Sequence, residues 1–187
     1  LNIGEYKNRD QYLAESVAQV DRLAAMVNDV LRSGSVAEQA LRQEKRLRID
    51  KLITEVVDDY TLLAKTRGMT FMVNTQPVTI YANRDMMRHV ISNLVSNAVR
   101  HSDAGSVITI TCGQRKLAIE NACTPLTKQQ LQHVFDPFYR SNTTTKQHAD
   151  SSGIGLYTVK MLLDAKGLDY SFAPHGQGMR FVVKLAS

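Results

Sequence analysis

Asn93 and Asn97 stand one helical turn apart in "HVISNLVSNAVRHSD" (89–103), and Arg100 follows three residues later. Residues three and four apart share a helix face, so two amides and a guanidinium project together. Amide oxygens are hard, neutral ligands, suited to a Mg2+ ion that keeps several waters and shares a substrate's phosphate oxygens. An arginine beside them would meet those phosphates. Asparagine competes with its own backbone for hydrogen bonds, so the pair is unfavourable for the helix itself. Two exposed amides on a surface helix is the plainer account, and this stretch alone favours it.

Two other segments carry the same chemistry. In "SSGIGL" (151–156), glycines permit close approach of backbone N–H groups to phosphate, and a following helix N-terminus adds favourable partial charge. An ordinary helix start would look similar. "FDPFYR" (135–140) is an aromatic knuckle, read by itself as a corner of core packing around Phe135 and Phe138.

These residues need elements to hold them. Val90, Ile91, Leu94, Val95 and Ala98 form the buried side of the asparagine helix, and Asn83 can cap its start. Upstream, "DKLITEVVDDYTLLAKTRG" (50–68) has helical spacing and a glycine stop. "MTFMVN" and "VTIYAN" read as strands broken by "TQP", and "VITITCG" and "KLAIEN" as a strand pair turning near Gly113. A short helix over 127–138 leads to the polar segment "RSNTTTKQHADSS" (140–152), a candidate lid. A second long helix runs from near Gly153 to Gly167, and "LDYSFAP" and "MRFVVKL" close the chain around "HGQG". The order predicts an α+β fold, a layer of helices over one mainly antiparallel sheet.

Residues 9–33 differ in texture. Leu13, Val17, Val20, Ala24, Val27 and Leu31 recur at heptad spacing, a narrow stripe that wants a partner helix. The boundary is placed near residue 45, giving a stem and linker over 1–44 and a globular unit over 45–187.

Composition is that of an ordinary globular chain, 43% apolar and 22% charged over 187 residues. No apolar run reaches eighteen residues, so no membrane span is expected within it. The first residue is Leu1, which reads as excision from something longer. The net charge of +5 is partly carried by "RQEKRLRIDK" (42–51), read as a solvated helix or linker. Without zinc-finger spacing or an RNA-binding aromatic signature, no nucleic-acid partner is expected. Cys112 and Cys123 fit neither a disulfide framework nor a metal spacing and are expected as unpaired thiols in a reducing compartment.

The order of parts resembles that of sensor histidine kinases. "NLVSNAVRHS" is similar to the family's N box, "FDPFYR" to its F box, "SSGIGL" to its second glycine box and "HGQGMRF" to its closing glycine turn. The resemblance covers residues from about 45 to 187 and implies a Bergerat-type ATP-binding α/β sandwich. The heptad stretch resembles the second helix of the family's dimerisation stem. By resemblance, Asn97 is the main Mg2+ ligand and Asn93 assists it. Arg100 meets phosphate and His101 lies against the adenine. Ser152, Gly153, Ile154, Gly155 and Leu156 line the phosphates, with Phe138 and Arg140 at the base of the lid. The implied partners are ATP, a stem helix carrying the acceptor histidine, a response regulator and a second copy of the full-length chain. The implied location is the cytoplasmic portion of a membrane-bound sensor.

The pattern departs from the family in two places. In the first glycine box, Asn121 stands at the usual aspartate, Cys123 at the first glycine and Pro125 at the second, and Ser151 replaces a glycine further on. Asn121 can still accept a hydrogen bond from an adenine amino group, without charge assistance. None of the five histidines (89, 101, 133, 148 and 175) has an acceptor context, so the chain is expected to begin after the acceptor. Two other readings stand beside the kinase. Related Bergerat-fold ATPases need a glutamate one turn before the metal-binding asparagine to activate water, and Asn93, at that place, is no base. A degenerate, non-catalytic interaction module is motivated by the altered glycine box.

Overall fold

A computed structural model describes residues 43–140 and 153–185. The heptad stretch, the polar segment beyond Arg140 and Ser152 lie outside the described residues.

Five strands form a mixed sheet: β2 (Thr70–Thr75), β4 (Val107–Gly113), β5 (Lys116–Ala122), β7 (Gly178–Lys184) and β6 (Tyr170–His175), in that spatial order. The β2–β4 pair is parallel and the other pairs are antiparallel. Alternation along β4 sends Ile108, Ile110 and Cys112 to one face, and Leu117 and Ile119 of β5 and Phe181 and Val183 of β7 lie in register with them. These residues are buried beneath the helices.

Three longer helices make the second layer: α1 (Ile49–Thr66), α2 (Arg84–His101) and α4 (Gly155–Lys166); α3 (Lys128–His133) is a short turn. α1 and α2 bury Ile49, Leu52, Ile53 and Val56 together with Met86, Met87, Val90, Ile91, Leu94 and Val95. Their rims are linked by a 2.8 Å hydrogen bond between the Tyr60 and Ser92 hydroxyls and by an Arg88–Asp59 ion pair at 2.6 Å. Asn83 caps α2 as expected, its side chain accepting from Met86 N–H at 3.1 Å. Gly68 and Gly167 both stand at positive φ just beyond α1 and α4, the left-handed stop that glycine adopts without strain.

Three sequence expectations need correction. The basic run is neither a linker nor a solvated helix over its whole length. Lys45–Arg48 is a strand (β1), antiparallel to β3 (Thr79–Ala82), and Ile49 already begins α1. The sheet is therefore not single, because β3 leaves its neighbour β2 for a separate two-stranded sheet. The helix expected over 127–138 ends at His133, although its start is well made: Thr127 and Gln130 form a reciprocal capping box. The second long helix runs as expected, from Gly155 to the stop at Gly167.

Candidate functional site

Asn93 and Asn97 sit half-buried at the edge of the apolar side of α2, where they are neither core nor open surface. Asn93 Nδ2 donates to the His89 carbonyl at 3.0 Å. A carbonyl can only accept, so this bond fixes the amide orientation and leaves Oδ1 as the outward acceptor. That oxygen faces α4: a Cβ added to Gly155 would lie 3.3 Å from it. The absent side chain therefore keeps a small opening between the asparagine face and the start of α4. An amide oxygen directed into such an opening fits a hard cation.

The N-cap of α4 is Ile154, buried and without a side-chain cap hydrogen bond. Its hydrocarbon side chain offers no acceptor to the first N–H groups of the helix, a local arrangement suited to an anionic ligand. Leu156 packs against the core and Gly153 takes φ +71°. A Cβ on Gly153 would fall 2.9 Å from the Phe138 carbonyl carbon, and Phe138 N–H donates to the Gly153 carbonyl at 3.1 Å. The aromatic knuckle and the glycine segment thus touch through their backbones.

The two phenylalanines of the knuckle separate in role. Phe135 is the packing corner, in edge contact with Tyr170 at 5.6 Å and Phe181 at 6.3 Å. Phe138 is about half exposed and holds φ +65°, a conformation that bulky residues rarely take. Arg140, exposed, is the last described residue before the polar segment.

The last turn of α2 carries Arg100, exposed, and His101, half-buried. Its terminal carbonyls are held from behind: Arg67 Nη1 donates to Val99 O at 2.5 Å and to Arg100 O at 3.0 Å. Ser102 Oγ adds a bond to Ala98 O at 2.6 Å. Beyond the helix, Asp103 N–H donates to Ala122 O at 2.9 Å, which ties the end of α2 to the end of β5.

Asn121 lies at that end of β5, on the helix-facing side of the strand, opposite Met179 of β7. Gly178 is essential to the approach, since a Cβ there would sit 2.0 Å from the Asn121 carbonyl oxygen. Cys123 follows, its N–H donating to Gln177 O at 3.3 Å. Burial pushes the Cys123 thiol up, the Asn121 amide donating to it pulls it down, the Asp103 carboxylate raises it, and Met179 N–H lowers it. The net shift is upward, so the group stays a thiol. Leu126 N–H donates to Met179 Sδ at 3.5 Å, which closes the floor after Pro125.

The structure accordingly brings the start of α4, with Gly153, Ile154, Gly155 and Leu156, to Asn93 in the middle of α2. Asn121 and Cys123 lie beyond the C-terminal end of α2, whose last turn carries Arg100 and His101, with Asn97 between that turn and Asn93. Sequence reasoning did not place Gly178, Met179 or Asp103 in this region. The turn "HGQG" was the available signal, and it gains meaning only when β7 is seen to start against Asn121. Among the described residues, no group of three His, Cys, Asp or Glu side chains could hold a metal ion.

The family model for histidine kinase-, DNA gyrase B-, and HSP90-like ATPases matches residues 82–187. The chain is 34% identical over 185 residues to sensor histidine protein kinase HK06 of Streptococcus pneumoniae, covering 98% of this chain and 41% of that protein. It therefore spans about two fifths of the length of this curated relative. The histidine kinase AdeS of Acinetobacter baumannii superposes with a TM-score of 0.69 at 20% identity, over 98% of this chain and 87% of that one. Histidine kinase ThkA, solved in complex with the response regulator TrrA, gives 0.68 at 18% identity, over 98% and 52% of the two chains. The opening between α2 and α4, the glycine-led helix start and the asparagine face thus lie in a matched segment long enough to fix kinship: the chain belongs to the histidine kinase-, DNA gyrase B-, and HSP90-like ATPase family.

Proposed function

We propose that the chain is the ATP-binding catalytic portion of a sensor histidine kinase. It would hold Mg-ATP along α2, with the base toward Asn121 and the phosphates toward the start of α4. The observation that carries this reading is the Asn93–Gly155 juxtaposition, which leaves an oriented amide oxygen facing a helix N-terminus. Asn97 and Asn93 would hold Mg2+, which when bound neutralises phosphate charge. Arg100 would add a fixed positive charge, and His101 would lie against the base.

In the transfer, an imidazole nitrogen of a stem histidine attacks the γ-phosphorus. The bond from that phosphorus to the β,γ-bridging oxygen breaks, and ADP leaves. Such a reaction needs positioning and charge neutralisation more than covalent chemistry from the protein. Asn93 favours transfer over hydrolysis, because its amide cannot take a proton from water at neutral pH. The stem histidine would come from the same or a sister chain in a homodimer, and a response regulator aspartate would be the later acceptor. The setting would be the cytoplasmic side of a membrane-bound sensor. Among the described residues, no helix is long and apolar enough to cross a membrane.

Calorimetry tests the reading directly. Mg-ATP should bind, and Asn97→Ala should weaken it tenfold or more, about 1.4 kcal/mol, with melting unchanged. Equal affinity in the variant would remove the metal assignment. Absence of nucleotide binding in the wild-type chain would leave a non-catalytic interaction module in its place.

A further inference from the structure

A helix leaves the carbonyls of its last turn without intrahelical partners. At the end of α2 the chain turns away abruptly, and Ser102 is already extended, with ψ 150°. A helical Asp103 N–H would bond Val99 O, four residues back. It donates instead to Ala122 O at 2.9 Å, which ties α2 to the end of β5. Val99 O and Arg100 O therefore need a donor from another element.

Arg67, at the junction of α1 and β2, is that donor. Its Nη1 donates to Val99 O at 2.5 Å and to Arg100 O at 3.0 Å. The backbone of Arg67 is pinned on both sides: its N–H donates to Ala64 O at 3.0 Å, and its carbonyl accepts from Gly105 N–H at 3.1 Å. A guanidinium is a planar, permanently charged donor. Here it stands at the negative end of the α2 dipole, where a cation is favourable.

The turn that Arg67 clasps is the one that carries Arg100 and His101. We propose that Arg67 is a positioning residue for the nucleotide: by holding the Arg100 carbonyl it fixes where the Arg100 side chain meets phosphate. This rests on the nucleotide-site reading above and adds to that site a residue that acts through α2 without touching the ligand. Its charge also offsets the negative helix end beside the phosphates.

Calorimetric titration of the chain with Mg-ATP tests the assignment on wild type, Arg67→Met, Arg100→Ala and the double variant. Methionine keeps much of the hydrocarbon stem and removes the donors. Arg67→Met should weaken binding roughly three- to tenfold, the range of one hydrogen bond. In the Arg100→Ala background the same change should weaken it by less than about twofold, since the side chain it positions is gone. Should Arg67→Met not fold, Arg67→Lys, which keeps the charge and loses the planar fork, carries the same comparison. Titration stoichiometry reports the folded fraction apart from the affinity. A purely structural arginine would lower stoichiometry and melting temperature with Kd unchanged, and that result overturns the assignment while ATP binding stands. So does an equal loss of affinity in both backgrounds. A wild-type chain that binds no Mg-ATP overturns this assignment and the site reading together.

Discussion

Asn93 and Gly155 face each other across the α2–α4 opening, close enough that a single methyl group on Gly155 would lie 3.3 Å from Asn93 Oδ1. Because the amide is held by the His89 carbonyl, it cannot simply swing aside. Alanine favours a helix over glycine by up to about 1 kcal/mol. Gly155→Ala should therefore lower Mg-ATP affinity, while its helix preference offsets the tight contact with the held amide, so that the melting temperature moves by only a few degrees. Scanning calorimetry and titration on the same variant check the two halves. Unchanged affinity would mean that the opening is not used by a ligand.

Asn121→Asp should tighten ATP and ADP binding and leave GTP without gain. Hydrogen bonds to charged groups exceed neutral ones by about 1 kcal/mol. Equal effects on adenine and guanine nucleotides would mean that Asn121 does not read the base.

Asp50 knots β1, α1 and the entry to β3, accepting from Arg48 Nε at 2.8 Å and Val78 N–H at 3.3 Å. The Arg48 hydrogen bond, opposed by burial and helped by Val78 N–H, lowers its pKa to about 2. A depressed carboxylate stabilises the fold above its unfolded pKa, and that stability is lost as pH falls through the folded value. Asp50→Asn should thus be less stable than wild type at pH 7, with the gap closing between about pH 4 and 2. Urea midpoints across that range decide it; a gap independent of pH would refute the ionic origin.

Incubated alone with labelled Mg-ATP, the chain should gain no acid-labile phosphohistidine, because none of its histidines has an acceptor context. A separate stem fragment carrying the acceptor should be labelled slowly, at a rate rising with fragment concentration, since effective concentration without a covalent link is low. Stoichiometric labelling of one of the chain's own histidines would contradict a kinase whose acceptor lies on a separate stem helix.

The asparagine face was legible because spacing alone brings i and i+4 together on any helix. The cap at Asn83, the stops at Gly68 and Gly167 and the aromatic corner at Phe135 followed from equally local rules. β1 was hidden: three of its four residues are charged, and the strand exists because Leu47 and Ile80 pair across to β3. Local charge argued for solvation, and tertiary pairing overrode it. The β4–β5 turn near Gly113 was legible in place but not in type, because Gln114 and Arg115 take φ +47° and +58° without a glycine or asparagine. Nor could spacing announce that Phe138 turns left-handed, since this depends on its backbone meeting Gly153.

The parallel β2–β4 pair makes α2 a crossover connection as well as the bearer of the site. Parallel neighbours cannot be joined by a tight hairpin, so the β2–β4 pair closes a long stretch of intervening chain, α2 included. Such pairings are of high contact order and form slowly. The edge of the sheet and the asparagine face should then assemble in one kinetic event. Substitutions on the apolar side of α2, Val90 or Val95 for example, would slow refolding of the sheet and recovery of ligand binding by the same factor.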